Sequence, residues 1–288
     1  MLERLGGVGS PPGYITNKIY NIMKKIVSLL AITAVILGMA SCNNEEVNLK
    51  RFKITVDEIT ATSAHIVVTP PDEQLYYVEF PFNIATYNWY KAQPEGVKEA
   101  LKYFEPGQGT DDLTLNLYPN TKYVLCVGEM NKETSSIVGD VESVQFQTKS
   151  MEAQLPEFVD EGQEYLPMTG DCGFLTDKLV VFAGEYLLPE GDGEKLVLNI
   201  YAVSDKLTGH FTTDDLFSFI FLTSYLTIED SEGKSLEGYA VCGADLTGTF
   251  NNATEKYEYT GWCEFLTEDD GLLRLPVKLQ CTENKSEN

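Results

Sequence analysis

The feature that most constrains this chain is a two-residue hydrophobic alternation, repeated over short runs from Phe52 onward. Phe52, Ile54 and Val56 alternate with polar residues; Ala64, Ile66 and Val68 alternate with His65 and Val67, and Tyr76, Val78 and Phe80 keep the same spacing. Farther along, the same spacing links Leu196, Leu198 and Ile200, then Tyr257, Tyr259, Cys263 and Phe265, then Leu273, Leu275, Val277 and Leu279. Side chains of a strand point to opposite faces in turn, so this spacing predicts strands with one buried face and leaves little room for long helices. Turn signals separate the runs: Pro70-Pro71-Asp72, Asp230-Ser231-Glu232-Gly233-Lys234 and Asp269-Asp270-Gly271. Phe217, Phe219 and Phe221 read as the start of one long strand ending near Ile228. The expected fold is all-β, with two antiparallel β domains. The first spans 51–149 and is a sandwich. The second spans 165–281 and is a sandwich or barrel. Residues 150–164, polar and acidic, read as a linker, and 282–288 as a polar tail.

One stretch breaks the pattern. Pro81 to Asp112 is too long for a strand connection. Pro94, before Glu95-Gly96-Val97-Lys98-Glu99-Ala100-Leu101, stands where a helix begins. Val97, Leu101 and Phe104 fall at helical spacing and are expected to pack down on the sheet.

The N-terminus carries a different signal. Met23-Lys24-Lys25 is a positive start, and Ile26 to Gly38 is an almost wholly apolar run, short of the ~20 residues a membrane-spanning helix needs. Met39-Ala40-Ser41-Cys42 follows. This order describes a secretory signal peptide over residues 23–41. Residues 1–22 do not belong to it and read as an upstream extension, with translation expected to start at Met23. The small residues before Cys42 resemble a lipobox, with Met39 where leucine is usual. That resemblance implies cleavage ahead of Cys42 and attachment of acyl chains such as palmitate to it. Residues 42–50 then form a tether, with Asn43-Asn44-Glu45-Glu46 next to the lipid. That acidic start resembles the export tether of Bacteroidales-type surface lipoproteins, which implies an outer-membrane protein facing the cell exterior.

A second resemblance lies within the first β domain. Leu117-Tyr118-Pro119-Asn120-Thr121-Lys122-Tyr123 is similar to the L-x-P-x-T-x-Y signature of fibronectin type III domains, in which the tyrosine bonds back to upstream backbone. Leu117, Pro119, Thr121 and Tyr123 are its structural positions. Thr62-Ser63-Ala64-His65-Ile66 and Phe146-Gln147-Thr148 resemble further strands of that fold, with Val68 near the place of its core tryptophan. Gly209-His210-Phe211-Thr212 and Gly248-Thr249-Phe250 resemble the second domain of uncharacterised Bacteroidales lipoproteins, and that likeness implies no activity.

The formal charge is −23, and about −26 without residues 1–41, which hold Arg4, Lys18, Lys24 and Lys25 against Glu3. A surface this acidic argues against nucleic acid as a partner. Six cysteines occur. With Cys42 lipidated, Cys172, Cys242, Cys263 and Cys281 allow three complete pairings, while Cys126 sits in a strand pattern and reads as a buried thiol. No zinc pattern, phosphate loop, dinucleotide fingerprint or nucleophile elbow is present, so no catalytic residue, metal or cofactor is assigned. His65 reads as an exposed strand residue and His210 as a turn residue. Asp214-Asp215 and Asp269-Asp270 fit solvated turns better than calcium sites.

Aromatic residues are the remaining candidates. Tyr87, Trp89 and Tyr90 lie together in the insertion, either as ligand-binding anchors or as pins that hold the insertion to the sandwich. Trp262 alternates away from Cys263 and is expected to face solvent or line an interdomain groove. The expected role is a lipid-anchored, non-catalytic binding or scaffolding lipoprotein, held to the membrane by its lipid and recognising glycan or a protein partner. A fimbrial-type structural subunit and a hydrolase with an acidic site are the alternatives.

Overall fold

The computed structural model describes residues 51–160, 162–189, 192–220, 222–267 and 271–284. The upstream extension, signal peptide and tether, with Cys42, lie outside the described residues, as do Phe221 and the Asp269-Asp270 pair. Every long element is a strand.

The first β unit is two facing sheets. β1 (Lys53–Asp57), β2 (Ser63–Thr69) and β5 (Asp111–Asn116) form one, in the order β1-β2-β5. β3 (Tyr76–Asn83), β4 (Gly107–Gln108), β6 (Lys122–Asn131) and β7 (Ser136–Gln147) form the other, in the order β4-β3-β6-β7. All their pairings are antiparallel. Ala64, Ile66 and Val68, the alternating residues of β2, are buried between the sheets with Tyr77, Leu125 and Val127. Burying Ile, Val or Leu side chains stabilises by about 1.5–3 kcal/mol each.

Across the smaller sheet, His65 on β2 bridges Asp57 on β1 at 2.6 Å and Asp112 on β5 at 2.9 Å. The Asp112 and then the Asp57 carboxylate hold its imidazole up at about 9, so it stays charged at neutral pH.

The insertion forms two helices, α1 (Ile84–Lys91) and α2 (Gly96–Leu101). Only α2 is announced by its sequence. α1 starts because Asn83 caps it: the Asn83 Oδ1 accepts a hydrogen bond from the Thr86 backbone N–H at 2.9 Å. Both helices lie on the outer face of β3 and β6, where Leu101, Val97 and Phe104 pack with Val78, Phe80 and Phe82. β3 is therefore covered on both sides, and its second face meets the sandwich interior.

Glu79 lies on that second face, on the side of Tyr77. Its Oε2 is buried with no hydrogen-bond partner among the described residues. Loss of water, and then the Asp111 carboxylate beside it, push its carboxyl up to about 7. Folding therefore takes up a proton. This stabilisation is full below pH 4.5, the ordinary value, and is lost as the pH rises through about 7. Glu79→Gln is expected to add about 1–2 kcal/mol of stability at pH 8, after discounting for partial exposure, and to change little at pH 4. Urea denaturation at the two pH values measures this.

The second unit is a closed barrel. Its ring runs β16 (Ser235–Asn251), β15 (Tyr225–Glu229), β11 (Lys195–Val203), β10 (Leu179–Leu187), β9 (Leu166–Thr176), β18 (Leu272–Glu283), β17 (Lys256–Leu266) and back to β16. β12 (Gly209–Thr212) adds to the outer edge of β16. The expectation of a wholly antiparallel second domain needs correction, because β9 and β18 pair in parallel. Strand direction must return to its starting sense around a ring, so antiparallel pairings come in even number. With seven pairings in the ring, at least one has to be parallel, and β9 with β18 is the one here.

The barrel is filled rather than hollow, as narrow barrels are. Phe182, Phe211 and Tyr259 pack together in its core, tilted or edge-on, with ring centroids 4.2 Å apart for Phe182 and Tyr259. Tyr259 donates its hydroxyl to the Leu207 carbonyl at 2.8 Å.

Two further sequence expectations change. The long strand expected from Phe217 is a tight hairpin instead: β13 (Ser218–Phe219) turns into β14 (Leu222–Thr223), with Ile220 at φ +49°. Phe217 and Phe219 alternate because they face the first unit, not the barrel core. Residues 150–164 connect the two units and also pack on the barrel. β8 (Ala153–Gln154) pairs in parallel with β18, and Val159 is buried in the barrel core.

Cys126, Cys172, Cys242, Cys263 and Cys281 are all buried free thiols. None of the pairings open to the four C-terminal cysteines is formed, and the Cys281 thiol donates to the Ala183 carbonyl at 3.7 Å. Burial pushes the Cys126 and Cys242 thiols up to about 12.

Candidate functional site in the seam between the two units

The two β units are joined by an aromatic seam. Phe219 sits among five rings of the first unit: Phe80, Phe82, Tyr90, Tyr103 and Phe104, at centroid distances from 4.9 to 6.1 Å. Phe217 meets Trp89 edge-on at 5.4 Å. Polar contacts fix the register. Asn83 donates its amide to the Leu216 carbonyl at 2.8 Å, and the Thr86 hydroxyl bonds both the Ser218 carbonyl and its N–H. All described residues therefore belong to one compact unit.

This places three of the four aromatic candidates. Tyr87, Trp89 and Tyr90 lie on α1, half-buried, and pack in the same cluster as Phe217 and Phe219. They pin the insertion, and what they pin it to is the barrel as well as the sandwich. Lys91 additionally lies over the Tyr87 ring, 5.4 Å from its centroid.

Trp262 is placed differently. It lies on β17 and lines a groove of about 360 Å³ between the two units. The first unit contributes Asn120, Lys122 and Gln147, and the barrel contributes Thr212, Thr213, Asp214, Ala244 and Asp245. The Arg274 guanidinium stacks over the indole at 4.3 Å, worth about 0.5–1 kcal/mol at an exposed site. Arg274 is itself held by Glu264, at 2.9 and 2.6 Å. The ring thus carries a cation that is itself paired with a carboxylate. Lys122 pairs with Asp214 across the groove, and His210 bonds Asp245 at 2.8 Å. Asp215 takes a structural part: its carboxylate accepts from the Thr212 N–H and hydroxyl, at 2.8 and 2.9 Å.

The groove owes its first wall to the 117–123 corner. Tyr118 donates its N–H to the Tyr123 hydroxyl oxygen at 2.9 Å. The Thr121 hydroxyl bonds the Pro119 carbonyl at 2.9 Å, and the Thr148 hydroxyl bonds the Tyr118 carbonyl at 2.6 Å. Leu117, Pro119, Thr121 and Tyr123 are all buried. Burial holds the Tyr123 phenol well above its ordinary range. The corner ends in Asn120 at φ +49°, a conformation asparagine tolerates, and this turns Asn120 and Lys122 toward the barrel.

Chemically, the groove offers an aromatic face, two amides and a set of fixed charges. Among the described residues, no group of three or more His, Cys, Asp or Glu side chains converges as metal ligands do. Sequence reasoning singled out Trp262 but missed Asn120, Lys122, Gln147 and Asp245, because the groove exists only once the two units dock.

No protein-family model matches the chain, and no curated protein matches it either.

Proposed function

We propose that this chain is a lipid-anchored cell-surface lipoprotein that binds glycan or a surface partner, without catalysis, through the groove lined by Trp262. The observation that carries this reading is a tryptophan stacked under Arg274, itself bonded to Glu264, in a groove lined by amides and paired charges from both units. Aromatic faces stack on sugar rings, and fixed amides and carboxylates meet hydroxyl groups without reorganising. The anchor rests on the signal before Cys42, with two or more acyl chains supplying stable membrane attachment. The first unit fits a fibronectin type III-like sandwich: three strands face four in the orders described, and a tyrosine corner sits between β5 and β6. The whole then corresponds to a Bacteroidales-type surface lipoprotein of the outer membrane, facing outward. Fold likeness alone does not fix function, so the groove bears the weight.

One experiment addresses anchor and groove together. Cells producing the chain are offered fluorescent oligosaccharides and washed. Wild-type cells are expected to retain label, whereas cells producing Cys42→Ala or Trp262→Ala are expected to lose it. Label retained equally by both variants overturns the reading.

A further inference from the structure

A larger cleft lies on the same seam, along the open side of the sandwich. β4 is only two residues long and pairs with Tyr76 and Tyr77, so β3 has no edge partner from Glu79 to Asn83. β5 is the edge strand of the other sheet. Between these two edges is a space of about 690 Å³, closed on the barrel side by Ser218 and Leu266. That volume is within the range of small-molecule sites, about 300–1,000 Å³.

Its lining is chemically distinctive. Twelve described residues line it and none of them is Asp, Glu, Lys, Arg or His. At the chain's 23% charged residues, twelve positions would carry about three. Instead the described lining includes the hydroxyl-bearing Thr62, Thr114 and Tyr118, the amide residue Asn116 and the apolar Phe80. Tyr118 is half-buried, and loss of water raises its phenol above the ordinary range. Neither the Tyr118 hydroxyl nor the Asn116 amide has a side-chain hydrogen bond among the described residues, so both remain available to a ligand.

We propose that this cleft is a binding site for a neutral, polyhydroxylated ligand, such as one or two hexopyranose units. Hydroxyls and amides both donate and accept, as sugar hydroxyls do. Among the described lining residues an anionic ligand would find no cation, and an amine no carboxylate. A peptide adding as a strand is the competing occupant. Pro81 opposes it, because proline offers no N–H on the free edge of β3. The site is separate from the Trp262 groove and does not depend on it.

The test is a calorimetric titration of the full chain, in detergent, with maltose, cellobiose and lactose, and with glucuronate and glucosamine as charged counterparts. Millimolar binding of at least one neutral disaccharide is expected, with no binding of the charged sugars. Tyr118→Phe and Asn116→Ala should each weaken it about fivefold, the loss of one hydrogen bond, while Trp262→Ala leaves it unchanged. Tyr118→Phe removes only an unpartnered hydroxyl, and Asn116 is exposed, so both variants should keep the wild-type unfolding temperature. No saturable binding overturns the proposal, as does binding indifferent to both variants or preferential binding of an extended peptide. Binding lost only in Trp262→Ala also overturns it while supporting the groove.

Discussion

Phe219→Ala is expected to lower the unfolding free energy by about 3–5 kcal/mol and to split one unfolding transition into two. Phe219 is the only barrel residue that touches five rings of the sandwich unit among the described contacts. Truncating it leaves a cavity that neither unit can close, since its neighbours belong to separately hydrogen-bonded sheets. Each aromatic pair adds about 0.5–1.5 kcal/mol beyond area burial, so the loss falls on the docking of the units more than on either core. Tyr103→Ala serves as a control. Tyr103 touches Phe219 at 6.1 Å but is 72% exposed, and its removal should cost under about 1 kcal/mol. Urea denaturation followed by tryptophan fluorescence reads the sandwich through Trp89 and the barrel through Trp262. A single transition in Phe219→Ala, displaced by less than about 1 kcal/mol, would mean the units are held together by something else.

Gly261→Ala is expected to be at least as damaging, at about 3 kcal/mol or more, through backbone strain. Gly261 lies beside Trp262 at φ +151°, where side chains are rarely accommodated. A Cβ there would fall 1.9 Å from the Asp245 carbonyl oxygen on the neighbouring strand. Backbone cannot swing aside as a side chain can, so β16 and β17 would have to separate where the ring closes. Gly107→Ala is the matched comparison. Nothing lies within 4 Å of its would-be Cβ, and a change within about 0.5 kcal/mol is expected. Circular dichroism melts of the two variants give the contrast, and near-equal melting temperatures would contradict it.

The alternation that marked the strands was legible because one face of each was buried and the other was not. The corner at Leu117–Tyr123 was legible because its residue types are tied to one hydrogen-bond pattern. β3 was misread in part for the opposite reason. With helices on one side and the second sheet on the other, it has no solvent face, and Glu79 fell on what the alternation treated as the polar side. α1 escaped notice because Thr86, Tyr87, Asn88, Trp89 and Tyr90 are modest helix formers. Asn83, three residues before Thr86, was the signal available. Phe217 and Phe219 imitate a strand because a hairpin and a strand present alternate residues alike. What they face depends on the partner unit, which no local pattern records. The parallel closure of β9 with β18 follows from a strand count that only the assembled ring supplies. Trp262 could be chosen from sequence by its place in the alternation. Its groove could not, because Asn120 and Asp245 lie far apart along the chain.

The central claim is that Trp262 meets a ligand in that groove, and the ring itself can report it. The chain has two tryptophans, so Trp89→Phe leaves Trp262 as the sole indole. Titrating this variant with the oligosaccharide that intact cells retain should produce a saturable change in indole emission, with the same midpoint as binding to the wild-type chain. Binding with no change in Trp262 emission would place the ligand elsewhere and contradict the account.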